Sequence, residues 1–228
     1  MDLTGFSITG LIDRDYDGVL PPVKPTPKKL FVTDYYYIES YFIERPCLEG
    51  MLGRVIGIPP ESGVADRLLS EIEQTLADFA NSIRAISACI LAVKSKGGFV
   101  EQEKISVHTC FSFDRDCRAR RVLGRRAVVL RGLGLGVSLK EYREWHKKLK
   151  SSDQRYWVRG KLFLWLLRNL LLRAAEAAQS LIDPERRQYR FSIAPLQGHG
   201  IYLLAGQYAE IPQRLVRYVE RTRARRRS

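Results

Sequence analysis

Short apolar runs alternate with polar loops in the first part of the chain. The run FSITGLI at residues 6–12 ends abruptly in aspartates, and LFVT at residues 30–33 is a second run of the same kind. Both are typical of buried strands. Four prolines between residues 21 and 27 remove backbone donors and fix φ, so the connecting segment is predicted to be an exposed loop. A short helix is predicted over residues 37–44.

From Ser62 onward the apolar positions follow the helical period. Leucine, isoleucine and phenylalanine recur every three or four residues up to Ile90, which predicts one long amphipathic helix that ends at Gly97 and Gly98. Ser138 followed by Glu141 is a capping box that opens a second helix.

Further elements complete the helical part. A strand or extended piece is predicted over residues 105–113, and helices are predicted over residues 156–181 and from Pro212 into the carboxyl terminus. The pattern therefore predicts an α/β fold, with a sheet-bearing part at residues 1–61 and a mainly helical lobe with a basic tail at residues 62–228.

The chain is strongly basic, with 38 Lys and Arg against 25 Asp and Glu and a formal net charge of +13. Such an excess favours a polyanionic partner such as nucleic acid. A solvated helix face with an arginine tail, or an acidic protein partner, would account for the same charge. Candidate nucleic-acid contacts within the arginine clusters are Arg125, Arg126, Arg223, Arg225, Arg226 and Arg227.

Cysteine usage and the amino-terminal residues bear on the compartment. The four cysteines have no CxxC spacing and do not pair with the three histidines at zinc-ligand spacing, which is typical of reduced thiols. The first ten residues lack the pattern of a secretory signal. The apolar run at residues 162–172 is shorter than the roughly 20 residues that span a bilayer. We therefore expect a cytoplasmic protein without a membrane partner.

Three aspartates alternate directly after the first predicted strand. Asp13, Asp15 and Asp17 are followed by Gly18, which permits a sharp turn. In an extended conformation alternate side chains share one face, so Asp13 and Asp15 can converge on one cation. Carboxylate oxygens are ligands of magnesium and manganese. The plain structural alternative is an acidic surface turn.

Two known acidic motifs partly match this segment. An EF-hand loop starting at Asp13 would need a bidentate glutamate where Lys24 stands, so it is rejected. DYDGVL at residues 15–20 resembles the phosphotransferase motif of the haloacid dehalogenase family, in which Asp15 would be the nucleophile and Asp17 the general acid. That alternative stays open, although Asp13 and Arg14 interrupt the apolar residues expected before the nucleophile.

The segment DRDYDG at residues 13–18 most resembles the signature of the Toprim domain, the metal-binding module of topoisomerases, primases and OLD-type nucleases. LFVTDYYYIESYFIE at residues 30–44 and RYWVRGKLFLWLL at residues 155–167 are similar to two further motifs of a Toprim-containing family. Members of that family are commonly encoded beside an ABC-type ATPase and include nuclease effectors of PARIS-like anti-phage systems.

The resemblance implies a partial Toprim-like, Rossmann-like sheet and a metal-dependent nuclease acting on nucleic acid, either DNA or RNA, tRNA included, with an ABC-type ATPase partner. It implies that Asp13 and Asp15 bind Mg²⁺ or Mn²⁺ and take part in catalysis. Asp17 would be an additional ligand, Asp34 and Glu39 would complete or orient the site, and two cations would contact the phosphate backbone, namely Arg159 and Lys161.

One feature of the Toprim pattern is missing from the sequence. A complete Toprim domain has an earlier strand that ends in a catalytic glutamate, whereas twelve residues precede Asp13 here. We therefore expect an N-terminally incomplete Toprim part that binds metal but cleaves little or no nucleic acid by itself. Strong metal-dependent cleavage by this chain would instead point to Glu39 or Asp34 as the substitute acid. A non-catalytic Toprim-like binding subunit is the third hypothesis, and a homodimer is left open.

Overall fold

The computed structural model describes residues 10–20, 30–58, 63–101, 111–113, 119–121, 136–181 and 200–225. Over these ranges the protein is mostly helical and contains a small parallel sheet. The coarse prediction, a mixed α/β fold with a helical lobe, is therefore confirmed.

The parallel sheet has two short strands, β1 (Gly10–Ile12) and β2 (Leu30–Val32). Leu11 lies opposite Phe31, and the backbone N–H of Thr33 donates to the carbonyl of Ile12 at 3.1 Å. Both strands were predicted from their apolar runs. The proline-rich loop at residues 21–29 and the first part of the run at residues 6–12 lie outside the described residues.

The prediction of a helix over residues 37–44 is wrong. A 3-10 turn covers Ile38–Tyr41, and the first α-helix, α1, covers Arg45–Gly50. Pro46 fits only the first turn of a helix, because deeper inside it would lack a donor and clash with the preceding turn. The α-helix therefore begins next to Pro46 and cannot continue the preceding turn. A π-helical segment, Met51–Ile56, follows α1 and ends at Gly57, whose φ is 82°.

Within the described ranges, the remaining elements are helical apart from one antiparallel strand pair. The long predicted helix is present as α2 (Gly63–Lys94), and the Ser138–Glu141 capping box opens the next helix as expected. The predicted helix at residues 156–181 is shorter, because residues 154–156 form a separate 3-10 turn. The other elements are β3 (Phe111–Phe113), β4 (Ala119–Arg121), α3 (Leu139–Lys150), α4 (Gly160–Leu181), α5 (Gly200–Tyr208) and α6 (Gln213–Arg225).

The core is centred on α2, which packs against α3 and α4 and buries its apolar stripe from Ala65 to Ala92. One cluster of buried residues joins this stripe to Tyr16 and Tyr36 beside the sheet. The division at residues 61/62 stays a prediction. By length and composition α2 could cross a membrane, and 61% of its most apolar stretch is buried inside the fold.

Candidate active site

The candidate site lies where the two parallel strands end. Asp13 directly follows β1, and its Oδ1 accepts a hydrogen bond from the backbone N–H of Ile38 at 3.1 Å. This contact ties the end of β1 to the 3-10 turn after β2, a turn that also contains Glu39. Desolvation raises the pKa of Asp13, the Ile38 N–H opposes that rise, and the negative charge of Asp15 adds to it.

Asp15 adopts a left-handed backbone conformation with φ of 55°. The predicted extended arrangement of the aspartates is wrong, because Arg14 is helical and a 3-10 turn covers Asp15–Gly18. The turn buries Tyr16, whose ring lies 4.4 Å from that of Tyr36, and the Asp15 N–H donates to the carbonyl of Tyr36 at 3.0 Å. Aspartate is among the residues that tolerate this conformation. Asp13 and Asp15 therefore interact electrostatically without sharing a strand face.

A cation accompanies the exposed Asp15 carboxylate. The Nζ atom of Lys94, at the end of α2, lies 3.7 Å from the Asp15 Oδ2 atom and 5.0 Å from the ring centre of Tyr16. Asp15 is 52% exposed, so this ion pair is solvent-screened.

Glu39 is the buried acid of the site, with 7% of its surface exposed. Its Oε2 atom has no hydrogen-bond partner among the described residues. The side chain lies against the start of α4, since a Cβ atom at Gly160 would be only 2.7 Å from Oε2. Burial raises the pKa of Glu39, repulsion from Asp13 raises it further, and Lys161 and Arg159 act to lower it.

The predicted cations Arg159 and Lys161 flank this glycine at the start of α4. Gly160 lies against the Glu39 carboxylate, and both flanking cations act to lower the pKa of Glu39. Arg159 also acts to lower the pKa of Tyr37. Asp13, Asp15, Glu39, Arg159 and Lys161 thus form one electrostatically coupled group, although they come from three distant stretches of the sequence.

Asp34 has other partners. Its Oδ2 atom accepts from the Tyr41 hydroxyl at 3.1 Å, its backbone N–H donates to that hydroxyl at 2.9 Å, and its Oδ1 atom pairs with Arg214 of α6. Both carboxylate oxygens are therefore engaged within the protein. A metal-ligand role for Asp34 stays a prediction.

The other predicted site residues are described in part or not at all. Arg223 is exposed on α6. The backbones of Asp17 and Arg225 are described but their side chains are not. Four predicted nucleic-acid contacts lie outside the described residues, namely Arg125, Arg126, Arg226 and Arg227.

The carboxylates among the described residues could hold a metal ion only in a site where water supplies most of the ligands. No three His, Cys, Asp or Glu side chains form a metal-holding group within the described parts of the chain. Magnesium usually keeps several waters and is bound through one or two carboxylates. Asp13 and Asp15 fit that requirement by donor type. The Oε2 atom of Glu39, which has no hydrogen-bond partner among the described residues, is electrostatically coupled to Asp13.

Comparison of the chain with protein families, curated proteins and solved structures finds no match.

A tyrosine cluster supports the site and was not predicted from the sequence. The ring of Tyr36, fully buried, lies 4.4 Å from the rings of both Tyr16 and Tyr37. Desolvation raises the pKa of all three hydroxyls, so they remain protonated hydrogen-bonding groups at neutral pH. The run DYYY at residues 34–37 was the available signal, because a tyrosine triplet beside a strand end has large apolar rings to bury.

Proposed function

We propose that the protein is a magnesium-dependent, Toprim-like nuclease that acts on nucleic acid. The proposal rests on the environment of Glu39. Its buried Oε2 atom has no hydrogen-bond partner among the described residues, and its carboxyl group is electrostatically coupled to Asp13. Leaving a buried polar atom unpaired costs roughly 1–3 kcal/mol, so such an atom calls for an explanation. A catalytic role is one explanation, since perturbed carboxyl groups cluster at functional sites.

In the proposed reaction, Asp13 and Asp15 hold the ion and Glu39 acts on the attacking water. A bound magnesium ion would polarise the scissile phosphate and neutralise its developing charge. The raised pKa of Glu39 makes its carboxylate a stronger proton acceptor than an exposed one. Arg159 and Lys161 would hold phosphate oxygens beside it.

The first experiment tests the metal site in the intact protein. Asp13→Asn removes the charge but keeps an oxygen that accepts the Ile38 N–H, so the fold should persist. We expect calorimetry to show loss of magnesium and manganese binding for Asp13→Asn and for Asp15→Asn. Asp78→Asn is the matched control, because Asp78 lies on α2 and is hydrogen-bonded to Gln74.

The outcomes separate the competing functions. Unchanged metal binding in both site variants would refute the metal assignment. Turnover of a simple aryl phosphate, with an aspartyl phosphate trapped at Asp15, would favour the phosphatase hypothesis instead. Metal binding by the parent without any cleavage of DNA, RNA or tRNA would favour the non-catalytic binding subunit.

The biological setting follows from the sequence resemblance alone. An ABC-type ATPase partner and a role in anti-phage defence are part of the proposal, as is a cytoplasmic location. Co-expression with the ATPase encoded nearest to this gene, followed by size-exclusion chromatography, tests the partnership. Elution of the two proteins at separate volumes would count against it.

A further inference from the structure

A row of four cations lies on the exposed face of α3. Lys140, Arg143, Lys147 and Lys150 are all exposed. At about 100° per residue they fall within an arc of about 80°, and at 1.5 Å per residue the row is about 15 Å long. Leu149 and the half-buried Trp145 lie away from this row and face the core.

The row differs in its ion pairing from the exposed arginines of α1 and α2. None of the four cations forms an ion pair with any part of the chain that the structure describes. On α1 and α2, by contrast, the exposed Arg67 pairs with Glu71 at 3.1 Å, and Arg45 pairs with Glu49 at 2.8 Å. Among the described residues, no acidic side chain neutralises the charge of this row.

The row is held in a rigid frame. The capping box at Ser138 fixes the start of α3, Leu149 is buried, and the helix packs along α2. Lys148, just beside the row, donates from Nζ to the carbonyl of Val19 at 2.8 Å. This bond links α3 to the end of the turn that carries Asp15, so the row has a defined position relative to the candidate site.

We propose that the exposed face of α3 is a docking surface for the phosphate backbone of duplex DNA. The proposal rests on the nucleic-acid part of the proposed function but not on its metal chemistry. Duplex DNA carries one charge per about 1.7 Å of its axis, which complements a straight row of cations.

Single-stranded partners and RNA fit this face less well. Proteins that bind single strands stack bases on aromatic rings, and in this fully described helix Trp145 is half-buried beneath Lys148, whose Nζ is 4.5 Å from the ring centre. Recognition of RNA uses the 2′-hydroxyl as both donor and acceptor, whereas lysine and arginine offer donors only.

The test compares two double variants of the full chain that each remove two positive charges. Arg143→Gln/Lys147→Gln alters the row, and Arg54→Gln/Arg67→Gln alters exposed arginines elsewhere. Binding to a short labelled DNA duplex of random sequence is measured by fluorescence anisotropy in EDTA. Each lost phosphate contact lowers the slope of log K against log salt by about 0.9, so the row variant should lose about 1.8. Between about 50 and 200 mM salt, the binding constant of the row variant should therefore fall about twelvefold less than that of the parent.

The control variant should keep the parent slope. An equal loss of slope in both variants would overturn the proposal, because net charge alone would then explain it. Tighter binding of an RNA duplex of equal length would also overturn it. The proposal would also fail if the row variant kept the parent slope on DNA but no longer bound phosphatidylserine vesicles, because the row would then contact a membrane surface. Since EDTA removes metal, the DNA result stands or falls separately from metal binding by Asp13→Asn.

Discussion

Replacing Glu39 with glutamine is expected to stabilise the fold while removing the carboxylate that the proposed reaction needs. The parent buries this acid to 7% exposure and leaves its Oε2 atom without a hydrogen-bond partner among the described residues. Glutamine has nearly the same shape but carries no charge, so the cost of desolvating a carboxylate disappears.

The magnitude follows from the cost of an unsatisfied buried group, roughly 1–3 kcal/mol. The glutamine amide keeps one unpaired polar atom, so only part of this cost is recovered, and we expect a gain of about 1 kcal/mol. For a chain of this length that gain raises Tm by about 2–4 °C. Stability would thus increase as the proposed activity is lost.

The pH dependence gives a second readout. Burial raises the pKa of Glu39 in the folded state above its ordinary value of 4.5. Between those two pKa values the folded state binds more protons than the unfolded state, so stability falls as pH rises through the folded pKa. The advantage of Glu39→Gln should therefore be small below about pH 4 and grow towards neutral pH.

Thermal unfolding by circular dichroism in EDTA, at acidic and neutral pH, measures both effects. Glu44→Gln is the matched control, because Glu44 is a nearby half-buried acid whose Oε1 atom lies 2.8 Å from an Arg155 guanidinium nitrogen. The control should lower Tm. If Glu39→Gln unfolds at or below the parent Tm at neutral pH, the carboxylate is satisfied in solution and the argument from its unpaired oxygen fails.

Two further predictions concern packing and helix capping. Gly160→Ala should lower the free energy of unfolding by about 1–3 kcal/mol, since its Cβ atom would lie 2.7 Å from the Glu39 Oε2 atom. Gly206→Ala, with nothing within 4 Å of the added Cβ atom, should raise it by about 0.5–1 kcal/mol, and urea unfolding of both variants checks the contrast. Ser138→Ala should cost about 1 kcal/mol in the same assay, because it removes the hydroxyl that accepts from the Glu141 N–H, and no loss would show that the cap is dispensable.

Features set by local chemistry could be predicted from the sequence. The Ser138–Glu141 capping box marks the start of α3, and the apolar repeat from residue 68 to residue 90 marks α2. Both depend on residues within one or two turns of each other. The two apolar runs likewise predicted the parallel strands, because an abrupt change to aspartate or threonine ends each run.

Features set by distant contacts could not be predicted. The alternation of Asp13, Asp15 and Asp17 is compatible with a strand, but a 3-10 turn covers residues 15–18 and packs the ring of Tyr16 against that of Tyr36. The pairing of Asp34 with Arg214 joins residues 180 positions apart, and no local pattern specifies it. The sequence therefore named candidate carboxylates without indicating which of them already had a partner.

The R-G-K motif at residues 159–161 illustrates how one short string combines two roles. Gly160 admits the Glu39 side chain, since any Cβ atom there would collide with Oε2. The flanking cations lower the pKa of that same carboxyl group, so they stabilise its charged form. Arg159 and Lys161 thus compensate a buried acid even before any phosphate binds. It follows that their removal should reduce stability as well as nucleic-acid affinity, whereas loss of the exposed α3 cations should reduce affinity alone.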